Sequence, residues 1–252
     1  MARYRFGLSR ARACIGPYFF VMLLSMAGSP AVAACGYDNI KISGSPEESE
    51  IACDAVGDVL TYFRDLGFTI DPTVEIHFKA QVFCDFQADN TATESCNVQV
   101  PGLYDHNRKV VEITSADSPF RDDRKPWGVD WGEEISYSIL QHELTHMAVG
   151  EILGEDFRNL SAPWHEFIAY AVQFELMGPS LRSRVLNAYP DAKAFADPGN
   201  INPVIHAIDP DAFGVRSYLY ATAQGGRQFV ADVIDRATAE RLGGSADYLW
   251  TY

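Results

Sequence analysis

Basic side chains are scarce: 20 lysines and arginines stand against 34 aspartates and glutamates, a formal net charge of −14. That balance argues against nucleic acid as a partner, because neutralising a phosphate backbone takes a clustered basic surface. Acidity otherwise bears on solubility and repulsion and names no substrate. Long apolar runs are lacking too. IGPYFFVMLLSMAG, residues 15–28, comes nearest and falls short of the roughly 20 apolar residues that spanning a bilayer takes. The sequence contains no internal repeat, low-complexity tract or long polar linker. Nor does any stretch supply the spaced oxygen ligands and central glycine of an EF-hand, so PEESE and RDDR read as solvated surface. Cysteine is sparse, with five in the chain.

The one apolar run has a telling setting. Arg3, Arg5, Arg10 and Arg12 precede it with no acid between them, and SPAVAA follows, with Ala31 and Ala33 in a small-x-small pattern. Residues 1–33 therefore read as a secretory signal peptide cleaved before Ala34, in preference to a single-span anchor. The remaining residues 34–252 are about 220 in number, enough for one domain with a sizeable core and no transmembrane segment. Loss of the four arginines takes the formal net charge from −14 to −18. The expected destination is periplasmic or extracellular; oligomeric state is not readable.

Cys14 leaves with the signal. The even set Cys35, Cys53, Cys84 and Cys96 then reads as two disulfides in an oxidising compartment. Three connectivities are open, and Cys35 with Cys53 and Cys84 with Cys96 are the local choices. VAAC, residues 32–35, also spells a weak lipid-attachment box at Cys35, but lipidation there would strand one cysteine of the four.

Ser45, Pro46 and Glu48 open SPEESEIACDAVGDVLTYFRDLGF with the elements of a capping box, and Ile51, Val56, Val59, Leu60 and Phe63 recur at helical spacing. In TVEIHFKAQVF, Val74, Ile76 and Phe78 alternate with Glu75, His77 and Lys79, the pattern of a half-buried strand. NVQVPGLYDHNRKVVEIT gives shorter strands around a turn near residues 105–107. Its last segment, VVEIT, is a candidate edge strand for an extended peptide, or else interior sheet support. From about Trp131 the period is helical again, with Ile135, Ile139, Leu140, Leu144, Met147 and Ala148 on one side and an end expected near Gly150. The class is thus α+β: a helix and a small mixed sheet, then a mainly helical C-terminal part.

On that helix QHELTHMAVG places His142 and His146 one turn apart on one face, with Glu143 beside the first. Two imidazoles so spaced can bind one zinc ion, and the glutamate can take a proton from water at an open coordination position. A catalytic zinc site uses three protein ligands. The metzincin continuation is excluded, since Val149 and Ile152 stand where it needs glycine and histidine. Downstream, SAPWHEFIAYAVQFEL starts a helix at Ser161 and Pro163, with Phe167, Ala171, Val172 and Phe174 for packing. Glu166 or the adjacent His165 is the candidate third ligand; only one of two neighbours on a helix can face the metal. Tyr170, one turn beyond Glu166, is a candidate supporting hydrogen-bond donor or a packing residue. His77, His106 and His206 carry no motif that adds them to the site.

HELTH followed by PWHEFIAY resembles the gluzincin peptidases, in particular the peptidase MA-like group with a second helix of the WxExxAxY type. The resemblance is most specific over residues 141–170. It implies a zincin-like fold, one zinc ion held by His142, His146 and Glu166, Glu143 as general base, and a peptide or protein substrate. Trp164, Glu166 and Ala169 match the second pattern, whereas Tyr170 falls one position early and Phe167 replaces a common glycine, a bulk that can narrow the cleft. Gluzincin-like enzymes often recruit a tyrosine or histidine toward the developing oxyanion from the C-terminal region, where Tyr218 and Tyr220 lie on one of two helical patterns separated by Gly225 and Gly226. Arg216 and Arg227 are candidates for a substrate carboxylate or for ordinary surface pairs. The expected function is an exported zinc peptidase; the alternative is a noncatalytic, peptidase-like binding protein.

Overall fold

A computed structural model of the chain describes residues 35–87 and 95–239. The signal-peptide reading of residues 1–33 lies outside the described residues.

Helix α1 (Pro46–Asp65) begins as its sequence dictates. The Glu48 amide donates to Ser45 Oγ at 3.1 Å, and Glu48 Oε2 accepts from the Ser45 amide at 2.8 Å, so two otherwise orphaned donors are satisfied reciprocally. Val56, Val59, Leu60 and Phe63 are buried as their spacing requires, with Ala52, Ala55 and Tyr62 added to the same face. A disulfide between Cys35 and Cys53, with Cα atoms 5.0 Å apart, ties the segment before the sheet to this helix.

The principal sheet has four strands in the order β1 (Ile40–Ser43), β2 (Val74–Lys79), β6 (Val110–Thr114), β5 (Gly102–Asp105). The first three run parallel and β5 is antiparallel to β6. Val74 and Ile76 are buried, as the alternation of β2 requires. The turn joining β5 to β6 is held by Asp105 Oδ1, which accepts from the amides of Asn107 and Arg108 at 3.0 Å each. VVEIT is β6, and both its sides are paired, to β2 and to β5, so it supports the sheet from within. The edge strands are β1 and β5 instead. Strands β3 (Val82–Gln87) and β4 (Ser95–Val100) form a separate antiparallel ribbon, with Cys84 opposite Val98 and Phe86 opposite Cys96. The expected Cys84–Cys96 bridge rests on a side chain outside the described residues.

The C-terminal part is helical: α2 (Glu133–Leu153), a 3-10 segment Gly154–Asn159, α3 (Ala162–Leu176), α4 (Pro179–Ala188), α5 (Pro203–Ile208), α6 (Pro210–Gln224) and α7 (Arg227–Ala239). Gly225 and Gly226, at φ 120° and 65°, make the turn between the last two. Helix α2 lies at the centre, against α1, α3 and strand β5. It does not end at Gly150 but runs one turn further, to Leu153. Gly150 serves packing: a Cβ there would meet His106 Nδ1 at 2.9 Å. Among the described residues no helix is long and apolar enough to cross a membrane.

Candidate metal centre

The i, i+4 spacing on α2 and the start of α3 bring three donors together. His142 Nε2 and His146 Nε2 are 3.2 Å apart; Glu166 Oε2 lies 3.4 Å from the former, and Glu166 Oε1 3.5 Å from the latter. All three donor atoms fall within 4.8 Å of one another. Ligands about 2.0–2.1 Å from a zinc ion at tetrahedral angles stand about 3.3 Å from each other. The observed separations have that size, and two imidazoles with one carboxylate are a zinc-compatible set, so these residues fit a zinc ion. His165 is turned elsewhere: its Nε2 is 3.1 Å from the Phe157 carbonyl, and its ring leans on Phe157.

Glu143 stands beside this set without belonging to it. Its carboxylate accepts the Tyr104 amide of edge strand β5. The close approach depends on Gly102, because a Cβ there would lie 2.9 Å from both Cγ and Oε1 of Glu143 and 3.0 Å from Ile113 Cδ1. Burial and the nearby Glu166 push the Glu143 carboxyl up to about 7, against the opposing pull of His142 and the Tyr104 amide. Burial also drives His146 toward its neutral, ligating form, down to about 3. Burial acts to raise Glu166 as well, but His146, His142 and His206 outweigh it and hold the carboxyl at about 2. The cluster therefore pairs an ionised carboxylate inside the donor set with a second carboxyl of much higher proton affinity next to it.

Around the donors lie further side chains, of which His206 and Gln173 were not expected from the sequence. His206, on α5, places Nε2 3.8 Å from Glu166 Oε2, and its ring packs on Phe213. Gln173, two turns after Glu166 on α3, sets Oε1 3.1 Å from His142 Nδ1 and donates from Nε2 to Ser138 Oγ at 3.1 Å. Tyr170 meets the site through its ring, edge-on to His142 with centroids 4.5 Å apart and pressed on Gly214 of α6. Its described contacts are ring packing, with no hydrogen bond to Glu166 among them.

Other expected site residues lie apart from the cluster. Tyr218 stacks on Phe174 beneath Arg182, two turns of α3 away from Glu166. Tyr220 is buried among Phe167, Phe195 and Phe229. Neither hydroxyl is brought to the donors. Phe167 is wholly buried against Trp164, Tyr220 and Phe229, so its bulk fills the core and leaves the cleft alone. Arg216 lies over the Phe195 ring, and Arg227 over Tyr62 beside Asp65 and Glu175, which are ordinary packing and pairing roles.

Residues 40–241 match the model of a family described as DUF6639, Family of unknown function. No curated protein and no solved structure matches the chain.

Proposed function

The chain belongs to the DUF6639 family, and from its site we propose that it is an exported zinc-dependent peptidase of gluzincin type, on a zincin-like scaffold. One observation carries the reading: His142, His146 and Glu166 converge at zinc-ligand separations while Glu143 sits alongside, held by a backbone amide and outside the donor set. Zinc held there would supply Lewis-acid chemistry, polarising a carbonyl oxygen and easing the deprotonation of water.

The protein's own groups do the rest. Glu143 takes the proton from the attacking water and returns it to the departing nitrogen. His206, whose Nε2 lies 3.8 Å from Glu166 Oε2, is the proposed hydrogen-bond donor to the developing oxyanion, in the place expected of Tyr218 or Tyr220. The substrate is an extended peptide that pairs with the free edge of β5, the strand whose Tyr104 amide already points toward Glu143. The alternative is a noncatalytic binding protein, which zinc retention without turnover would favour, above all with a cleft closed by Phe167. Phe167 is buried in the core, so it does not close the cleft.

The test is an unbiased peptide mixture incubated with purified protein and followed by mass spectrometry. Cleavage is expected with zinc bound, is lost on chelation and returns on zinc addition. A folded, zinc-loaded protein that cleaves nothing in diverse mixtures would sink the peptidase reading in favour of the binding protein. With a cleaved peptide in hand, Gly102→Ala is expected to keep its zinc yet lose about 100-fold in turnover, because the new methyl displaces the base by a fraction of an ångström to an ångström. Unchanged turnover in that variant would show that the tight seat of Glu143 against β5 is immaterial.

A further inference from the structure

Ser138 and His142 lie one turn apart on α2, and Gln173 lies opposite them on α3. Their side chains form one chain of contacts: Gln173 Nε2 donates to Ser138 Oγ at 3.1 Å, and Gln173 Oε1 is 3.1 Å from His142 Nδ1. The residues are 1 %, 1 % and 8 % exposed, so water does not compete for these bonds. Each link constrains the next. Nε2 of His142 points at Glu166 and His146, and to act as a donor atom for a metal it must be free of its proton. The ring proton then sits on Nδ1 and needs an acceptor. Only the oxygen of the Gln173 amide can accept it, which turns the amide nitrogen toward Ser138.

The partner of a metal-ligating histidine also tunes the metal. A carboxylate in that place makes a charge-assisted hydrogen bond and raises the basicity of the ligating nitrogen. An amide orients the ring equally well without adding charge. Here two carboxyl groups, buried Glu143 and half-buried Glu166, already flank His142. A third would be repelled by both in the metal-free protein.

We propose that Gln173 is a positioning residue that sets the metal affinity of the site: it locks His142 in the ligating tautomer while keeping the zinc exchangeable. This rests on the reading of the cluster as a zinc site. The protein then holds its metal less tightly than a carboxylate-supported site of the same three ligands, and its activity follows zinc supply.

The experiment is zinc titration of the parent, Gln173→Leu, Gln173→Glu and Ser138→Ala by competition with a chromogenic chelator, with thermal unfolding of each metal-free form. Gln173→Leu is expected to weaken zinc about 10- to 100-fold, the range for loss of such a support. Gln173→Glu is expected to bind about 10-fold more tightly than the parent and to release zinc to the chelator more slowly. Ser138→Ala frees the amide to rotate and lies between the parent and Gln173→Leu. Nitrogen-15 NMR of the metal-free parent, with its ring neutral, should place the His142 proton on Nδ1, and Gln173→Leu should lose that preference, a difference that general packing would not produce. Equal affinities in the folded variants, or weaker binding by Gln173→Glu than by Gln173→Leu, would overturn the inference and leave the metal site standing. Should Gln173→Leu not fold, Gln173→Glu and Ser138→Ala still decide it. A parent that binds no stoichiometric zinc would remove the metal reading itself, and this inference with it.

Discussion

Glu143→Gln is expected to retain its fold and its zinc while losing about 100- to 10,000-fold in peptide hydrolysis, the span that proton transfer by a placed side chain contributes. The geometry separates the two properties. His142, His146 and Glu166 supply the convergent donors, whereas Glu143 accepts the Tyr104 amide with acceptor positions to spare and stands outside the set. Glutamine keeps the length and shape of glutamate and can still accept the Tyr104 amide through Oε1. It cannot take a proton from water, because its second polar atom is an NH2 group. Buried as it is, at 8 % exposure, the carboxyl is pushed up to about 7, the range in which a base can both take and return a proton near neutral pH; a dication beside it lowers that value. The measurement is a rate on a peptide cleaved by the parent, with metal content and thermal unfolding determined on the same samples. Full hydrolysis by a folded, zinc-loaded variant would take the base role away from Glu143.

What the sequence disclosed is what lies within a few residues of itself. The capping box at Ser45 and Glu48, the alternation in Val74–Lys79 and the two-histidine face of α2 are local patterns, and the structure contains each of them. Strand β1 was invisible because IKIS is four residues long and owes its state to a parallel partner 34 positions away, as Ile40 opposite Val74 illustrates. Whether VVEIT was edge or interior was likewise a question of sheet order, which no stretch of the strand encodes. Gly150 misled for a different reason. A glycine near the end of a helical pattern reads as a terminator, yet here its missing side chain admits His106, and the helix stops at Gly154, whose φ is 54°. His206 was set aside for want of a motif, although Asn202 before Pro203 is a helix-start signal and placed it on a short helix. Gln173 did leave a trace. It is a lone amide on the packed face of FIAYAVQFEL, seven residues after Glu166, and a buried polar side chain at that spacing demands a partner across the helix interface. The donor identity at Glu166 or His165 was the one choice that spacing posed and could not decide.

That choice yields the sharpest contrast in metal binding: Glu166→Ala is expected to lose zinc by more than the roughly 10- to 100-fold typical of a supporting contact, and His165→Ala to bind zinc almost as the parent does. The two residues are adjacent, so their side chains leave α3 about 100° apart. The Glu166 carboxylate lies 3.4 Å from His142 Nε2 and 3.5 Å from His146 Nε2, and it is the only anion in the donor set. Its removal takes away one ligand and the charge that balances a dication. His165 instead sets Nε2 3.1 Å from the Phe157 carbonyl and lays its ring on Phe157. Alanine there takes the donor from a part-buried carbonyl, at a cost of about 1 kcal/mol in stability, and leaves the donor set intact. The two variants should therefore divide cleanly: Glu166→Ala folded but poor in zinc, His165→Ala zinc-replete but lower in melting temperature. Equilibrium zinc titration and thermal unfolding of both proteins read the two properties separately. Greater zinc loss from His165→Ala would mean that α3 turns by about one residue when the metal binds, which would put His165 in the place of Glu166 as the ligand while sparing the metal site itself.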